Sequence, residues 1–277
     1  MPVQRYAALA ALAASTAHEV GDAIDIAQVG IVTRKRGRAN FATAADHAAQ
    51  EAVISRLRAH DPAIPVLAEE GAVRSLRRAE RVWVVDPIDG TLNFSHGIPF
   101  YAVSIAYVED GAVRAAAVHA PRTGETFIAH QRGGATLNGV AISVSSVSRM
   151  SQAFVVTIPS RFALVHKHAA RLRALGAASV EICYVAAGRF DLFMHWVLSP
   201  WDIAAAGLIA REAGASLISL RSGKDAAWDE RQVIIGPRAL VRDALSAIPG
   251  LVGPARPPAR TTARRSPSTR RSGSPSR

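Results

Sequence analysis

Two carboxylates stand three residues apart in Asp86-Pro87-Ile88-Asp89-Gly90-Thr91, straight after the apolar run Val82-Trp83-Val84-Val85. A strand that buries such a run ends on Asp86 and holds it rigidly, while Pro87 fixes its own φ for a tight turn that brings Asp89 back toward Asp86. The pair suits a hard cation, because Mg²⁺ takes oxygen ligands, keeps several waters and is commonly held by one or two carboxylates with a substrate phosphate. Gly90 and Thr91 then offer backbone N–H groups where a phosphate can dock. Asp, Pro and Gly also favour exposed turns on their own account, so this segment alone leaves metal-dependent phosphate chemistry and a plain surface turn both open.

Extended from Trp83 to Gly111, the stretch reads WVVDPIDGTLNFSHGIPFYAVSIAYVEDG and closely resembles the signature of the inositol monophosphatase family. Upstream, Leu67-Ala68-Glu69-Glu70 is similar to the family's paired glutamates after a short strand. Downstream, Trp201-Asp202-Ile203-Ala204-Ala205-Ala206-Gly207, followed by Arg211-Glu212-Ala213-Gly214, resembles its last acidic motif. Asn40-Phe41-Ala42-Thr43-Ala44-Ala45-Asp46 is similar to its Asp-x-Val-Thr-x-x-Asp segment and departs from it at Asn40 and Phe41. The motifs fall in family order from the first helix to about residue 250.

The resemblance implies an α/β (α+β) fold, a layered α-β-α-β-α sandwich of the inositol monophosphatase and fructose-1,6-bisphosphatase type. Residues 1–253 would form it, with an N-terminal half of about 1–145 supplying most metal ligands and a C-terminal half of about 146–253 supplying the last. By the matched motifs, Glu69, Asp86 and the Ile88 carbonyl would hold one Mg²⁺, and Asp86, Asp89 and Asp202 a second. A third, weaker Mg²⁺ would sit near Glu69, with Glu70 as an outer carboxylate. Independently of any family, acids converging on one site repel strongly unless cations neutralise them. Asp202 also follows Ser199-Pro200-Trp201, where Asp is favoured as a helix cap whatever its chemistry, and the two roles are compatible.

The implied reaction is hydrolysis of a phosphate monoester by metal-activated water, with myo-inositol 1-phosphate as the expected substrate. Glu69 and Thr91 would orient the water, Asp46 would support the Thr91 hydroxyl, and the Gly90 and Thr91 amides would receive a phosphate oxygen. Lys35 aligns with a family lysine near metal and phosphate, although Arg34, Arg36 and Arg38 around it fit a solvated basic loop equally. The backbone of Gly176-Ala177-Ala178 would meet the substrate. His195 falls where inositol-hydrolysing members commonly carry a glutamate that accepts ring hydroxyls, and a neutral imidazole offers one acceptor and one donor instead. Histidinol phosphate, fructose 1,6-bisphosphate and 3′-phosphoadenosine 5′-phosphate are therefore alternative substrates within the superfamily. The resemblance further implies a homodimer and inhibition by Li⁺.

Charge and composition bound other classes. The formal net charge is +11, but the Ser- and Pro-rich segment from Pro254 to Arg277 holds seven arginines and no acid. Such a tail cannot bury enough apolar surface to order itself, and any contact with nucleic acid is expected only through it. It has no aromatic residue to stack on bases, which favours an extension without sequence readout. The single Cys183 sits in an apolar run as a packing thiol, and a reducing cytoplasm fits. The alanine-rich start reads as an amphipathic helix in preference to a signal peptide, and no apolar run is long enough to span a bilayer. None of the nine histidines pairs with another at helical metal spacing, and no Gly-x-Ser-x-Gly elbow or Walker-type loop is present.

The elements that must position these residues are read from periodicity. Helices are expected over about 6–27, 43–60, 166–175, 179–187 and 202–213, and residues 237–248 would close the ordered fold. Strands are expected over 64–67, 82–85, 102–108, 113–119, 126–130, 154–158 and 191–197, with a tight turn over 133–139.

Overall fold

A computed structural model describes residues 2–26, 32–34, 41–69 and 74–253. Lys35, Glu70 and the arginine-rich tail lie outside these residues. The chain runs α1 (Pro2–Ile26), β1 (Val32–Arg34), β2 (Phe41–Thr43), α2 (Ala44–His60), β3 (Val66–Ala68), β4 (Arg81–Asp89), α3 (Thr91–Ser95), β5 (Ala102–Glu109), β6 (Ala112–Ala120), β7 (Glu125–His130), β8 (Ala135–Leu137) and β9 (Val140–Ala141). It continues through β10 (Phe154–Thr157), α4 (Phe162–Val165), β11 (Arg171–Arg173), α5 (Ala178–Ala186), β12 (Leu192–His195), α6 (Pro200–Glu212), β13 (Ser216–Ser219), β14 (Val233–Gly236) and α7 (Arg238–Ala247).

Strands β3 to β9 lie in chain order in a seven-stranded sheet, antiparallel except where β3 runs parallel to β4. Its inner strands read as unbroken apolar runs because both faces are covered. Trp83, Val85, Ile105 and Tyr107 face α1 and α2. Val82, Val84, Ala106 and Val118 face α5 and α6. Those two helices are buried nearly all round, because their far side packs on Phe193, Leu217, Val233 and Ile235 of a five-stranded sheet ordered β11-β10-β12-β14-β13. Helix α6 manages this close fit with Ala204, Ala205, Ala206 and Gly207, where an added Cβ would come within 3.1 Å of Leu217. Met194 and Ile234 on the outer face meet Leu240, Val241 and Ala244 of α7. The layering is the expected α-β-α-β-α sandwich.

Three local expectations change. The helix expected over 166–175 is instead α4, ending at Val165, followed by the edge strand β11. Parallel pairing with β10 satisfies backbone groups that a helix there would leave open at the sheet edge, and Leu172 packs inward while Arg171 and Arg173 stay exposed. The apolar run Val233-Ile234-Ile235 is a central strand that periodicity alone left unassigned. The turn expected over 133–139 contains β8, and its tight part is Asn138-Gly139 with φ of 49° and 79°, the primed hairpin geometry that favours this dipeptide. Among the described residues, no helix is long and apolar enough to cross a membrane.

Candidate active site

The ladder between β4 and β5 pairs Asp86 with Ser104 and then Asp89 with Ala102, so one extra residue of β4 is accommodated between them. Pro87, which has no N–H to pair, stands in this bulge, and the bulge re-aims the strand end so that both acids turn to one side. Asp86 is buried, and one of its oxygens accepts the Ile88 N–H at 3.1 Å. Gly90 follows at φ 90°, and a Cβ there would meet the Phe100 carbonyl at 2.9 Å and Ala177 at 3.0 Å, so the position excludes a side chain.

Asp89 is fixed from the C-terminal half of the chain. Its Oδ1 accepts the Ala178 N–H at 3.1 Å, and its Oδ2 accepts the Ser179 N–H at 2.7 Å and the Ser179 hydroxyl at 2.5 Å. These donors open helix α5, where unpaired amides and the helix dipole favour a negative charge. Ser199, not Asp202, is the N-cap of α6; Asp202 is the third helical residue, completes a capping box by accepting the Ser199 N–H at 2.7 Å, and still lies near the other acids. At least one carboxylate oxygen of each of Asp86, Asp89 and Asp202 lies within 4.8 Å of the other two. Glu69 sits one residue past the Ala68–Val85 pair of the parallel ladder, as Asp86 does, and its charge acts on both Asp86 and Asp202.

Burial and mutual repulsion shape the protonation of this cluster. Desolvation first, then the charges of Asp89, Glu69 and Asp202, hold the Asp86 carboxyl well above the usual range. Asp202 is pushed up to about 8 by burial and then by Asp89. Asp89 is raised by burial in spite of the opposing hydrogen bonds from Ser179 and Ala178. Acids this close and this buried ionise together only around a cation, and an all-oxygen donor set fits a hard divalent ion.

Thr91 Oγ1 lies 3.0 Å from Asp46 Oδ1 on α2 and 3.1 Å from the Ile88 carbonyl, and Asp46 is itself buried. Asp46, Ile88 and Thr91 thus form one connected group beside Asp86. Ala178 lines the adjoining cavity, but its N–H is committed to Asp89 and leaves no backbone donor for a ligand. That cavity, of about 200 Å³, is also lined by Asp89, Gly176, Glu181, His195 and Asp202. Larger cavities occur beside Trp228 and beside Arg5; the second is lined by Asp61, Glu80 and Glu109, which stand among Arg5, His60 and Arg81 and do not converge as Asp86, Asp89 and Asp202 do.

His195 stands at the end of β12 with its Nδ1 accepting the Val197 N–H at 3.1 Å. Burial drives its pKa down to about 4, so the ring is neutral and the proton sits on Nε2. The residue presents an N–H donor where a glutamate would present acceptors.

Three supporting residues had no role assigned from sequence. Ser179 anchors Asp89, as described. Asn93 donates to the Phe100 and Leu175 carbonyls at 2.8 and 2.7 Å, and Glu181 accepts the Leu175 and Gly176 amides at 2.5 and 3.2 Å, so the 175–177 loop is gripped on both sides. A serine at the start of an apolar helix and an acid within it were the available signals. Cys183 is buried with its thiol pKa raised by burial, in keeping with a packing role.

Residues 2–248 match the model of the inositol monophosphatase family. A fructose-1,6-bisphosphatase/inositol-1-monophosphatase of Thermotoga maritima is 38% identical over 205 residues, covering 72% of this chain and 78% of its own. The Nus factor SuhB of Vibrio cholerae is 34% identical over 222 residues, covering 76% and 83%. Among solved structures, a Thermotoga maritima IMPase superposes with a TM-score of 0.78 at 34% identity, covering 87% of this chain and 94% of that one.

Proposed function

The chain belongs to the inositol monophosphatase family of phosphatases, and we propose that it is a Mg²⁺-dependent phosphate monoester hydrolase converting myo-inositol 1-phosphate to myo-inositol and phosphate. The observation that carries the reading is the convergence of buried Asp86 and Asp89 with half-buried Asp202, the last two of which line a small cavity. Glu69, Asp86 and the Ile88 carbonyl would hold one metal ion, and Asp86, Asp89 and Asp202 another. Bound there, a divalent ion supplies Lewis acidity toward the phosphoryl group and lowers the pKa of water.

The chain's own groups do the rest. Asp46 accepts the Thr91 hydroxyl proton, which leaves the Thr91 oxygen lone pairs to accept a hydrogen bond from the attacking water. Glu69 would serve as the second acceptor for that water. The Gly90 and Thr91 amides would donate to a phosphate oxygen, and the missing side chain of Gly90 lets this turn pack closely on the Phe100 carbonyl and Ala177. Lys35 would add positive charge near that phosphate. Asp89 is held rigid by Ser179 and Ala178, which limits reorganisation during the reaction.

His195 supports a second substrate reading. Its Nε2–H suits a substrate atom that accepts, such as a sugar ring oxygen or a second phosphate, as well as a polyol hydroxyl oxygen. Fructose 1,6-bisphosphate is therefore kept beside inositol 1-phosphate, in line with the double name of the Thermotoga relative. The test is phosphate release from both substrates, with histidinol phosphate and 3′-phosphoadenosine 5′-phosphate alongside, with and without Mg²⁺. Metal-dependent turnover, cut at least about a hundredfold by Asp89→Asn, is expected. Full activity without metal, or in that variant, would sink the assignment.

By the same family reasoning the protein would be a cytoplasmic homodimer that Li⁺ inhibits. Any additional nucleic-acid contact would run through the arginine-rich tail, by its charge alone. Removing residues 254–277 should abolish RNA binding and leave turnover unchanged; RNA binding that survives the deletion, or is absent from the whole chain, dismisses the tail's role.

A further inference from the structure

Away from the catalytic acids, a second group of metal-ligating side chains joins α1 to β6. His18 and Asp22 lie one turn apart on α1, His119 on β6 faces them, and a ligand atom of each is within 4.8 Å of the other two. His18 Nδ1 is 3.2 Å from Asp22 Oδ2, and His119 Nε2 is 3.5 Å from Asp22 Oδ1. The two imidazole rings stack with centroids 4.6 Å apart. His119 is 2% exposed, and its Nε2 has no hydrogen-bond partner among the described residues. Its Nδ1 lies 2.8 Å from Thr126 Oγ1 on β7. A Cβ at Gly21 would come within 2.5 Å of His119 Cδ2, so the approach of this ring to α1 depends on the glycine.

We propose that His18, Asp22 and His119 form a site for a borderline divalent cation such as Zn²⁺, which fastens the middle of α1 to the large sheet. Side chains four apart on a helix project from one face and can close on the same ion, and the strand supplies the third ligand from the opposite side. Two imidazoles and a carboxylate, with one position left to water, suit Zn²⁺, whereas Mg²⁺ and Ca²⁺ prefer all-oxygen shells. In the tautomer whose Nδ1–H donates to Thr126, the Nε2 lone pair faces a carboxylate oxygen, a repulsion that an intervening cation removes. A hydrogen bond from the far nitrogen is also how ligating histidines are usually oriented. His18 and Asp22 are exposed and leave the ion a route in. This ion takes no part in hydrolysis, and its chemistry differs from that of the catalytic acids.

Equilibrium dialysis of the untagged full chain with Zn²⁺, in excess Mg²⁺, tests the site, with thermal melts and the visible spectrum of the Co²⁺-loaded protein alongside. One Zn²⁺ per chain, a raised Tm and a tetrahedral Co²⁺ spectrum are expected. All three should vanish in His18→Ala and in Asp22→Asn, and persist in Asp202→Asn. Thr126→Val should weaken binding about tenfold. The first two substitutions are at exposed positions, so they test ligation without emptying the core. Absence of Zn²⁺ binding in excess Mg²⁺, binding that both exposed variants retain, or binding that Asp202→Asn removes would each overturn the site. In the first case the cluster is a pair of stacked imidazoles with Nε2–H turned to Asp22.

Discussion

Glu181 offers the sharpest quantitative test of how the cavity wall is built. It is 4% exposed, on the buried helix α5, and its Oε1 accepts the Leu175 and Gly176 amides. Burial pushes its pKa up to about 7 against those hydrogen bonds, with the charge of Asp89 adding to the rise, from an ordinary 4.5. Because the folded chain holds this proton more tightly than the unfolded one, the contribution to stability is full below about pH 4.5. It is lost as pH climbs through about 7. At about 1.4 kcal/mol for each tenfold change in proton affinity, the loss amounts to about 3 kcal/mol. Glu181→Gln keeps an oxygen acceptor for both amides and has no proton to lose. Its stability relative to the parent should therefore rise by about 3 kcal/mol between pH 5 and pH 8.5, or by about 6–12 °C in Tm. Paired urea melts at matched protein concentration and ionic strength, without divalent metal, read this difference directly. Parallel pH profiles for the two proteins would refute the reasoning, because they would mean that Glu181 ionises in the folded chain as it does in water.

Other perturbations probe neighbouring contacts. Asn93→Ala leaves the Phe100 and Leu175 carbonyls without their donor, so a loss of about 2 kcal/mol in urea melts is expected, with kcat falling as the 175–177 loop loosens. His195→Glu exchanges a donor for acceptors; the ratio of kcat/KM for inositol 1-phosphate over fructose 1,6-bisphosphate should rise about tenfold, and an unchanged ratio would remove His195 from substrate selection. Mg²⁺ at about a hundred times its Kd should stabilise the parent by about 2.7 kcal/mol. Asp202→Asn should be more stable than the parent in metal-free buffer yet gain less from Mg²⁺ than the parent does, because it removes one of the mutually repelling acids and a ligand of the second ion alone.

The acids themselves were legible because their positions are written locally: a strand, a bulge at Pro87 and a glycine that cannot carry a side chain fix Asp86, Asp89 and Gly90 within a few residues. What was hidden depends on contacts between distant segments. Ser179 looked like any residue near a helix start until the fold brought it to Asp89, and Ala178, read as a substrate contact, proved to spend its amide on the same carboxylate. The edge strand β11 was hidden for a related reason, since residues 166–175 contain no proline or interior glycine to stop a helix and only the open edge of β10 decides otherwise. His18 and His119 likewise meet only through the packing of α1 on β6, which no spacing rule anticipates.

These long-range contacts share a physical theme. Asp86 and Asp89 belong to a strand of the large sheet, whereas the donors that hold Asp89, and Asp202 itself, belong to helices packed between the two sheets. Assembling the sandwich therefore brings buried negative charges together, a cost that α5 offsets in part through its N-terminal amides. A cation bound there would offset more of it, which would link metal affinity to the packing of α5 and α6 between the sheets. Any substitution that shifts α5 or α6, even one far from the acids, should therefore weaken metal binding before it unfolds the chain.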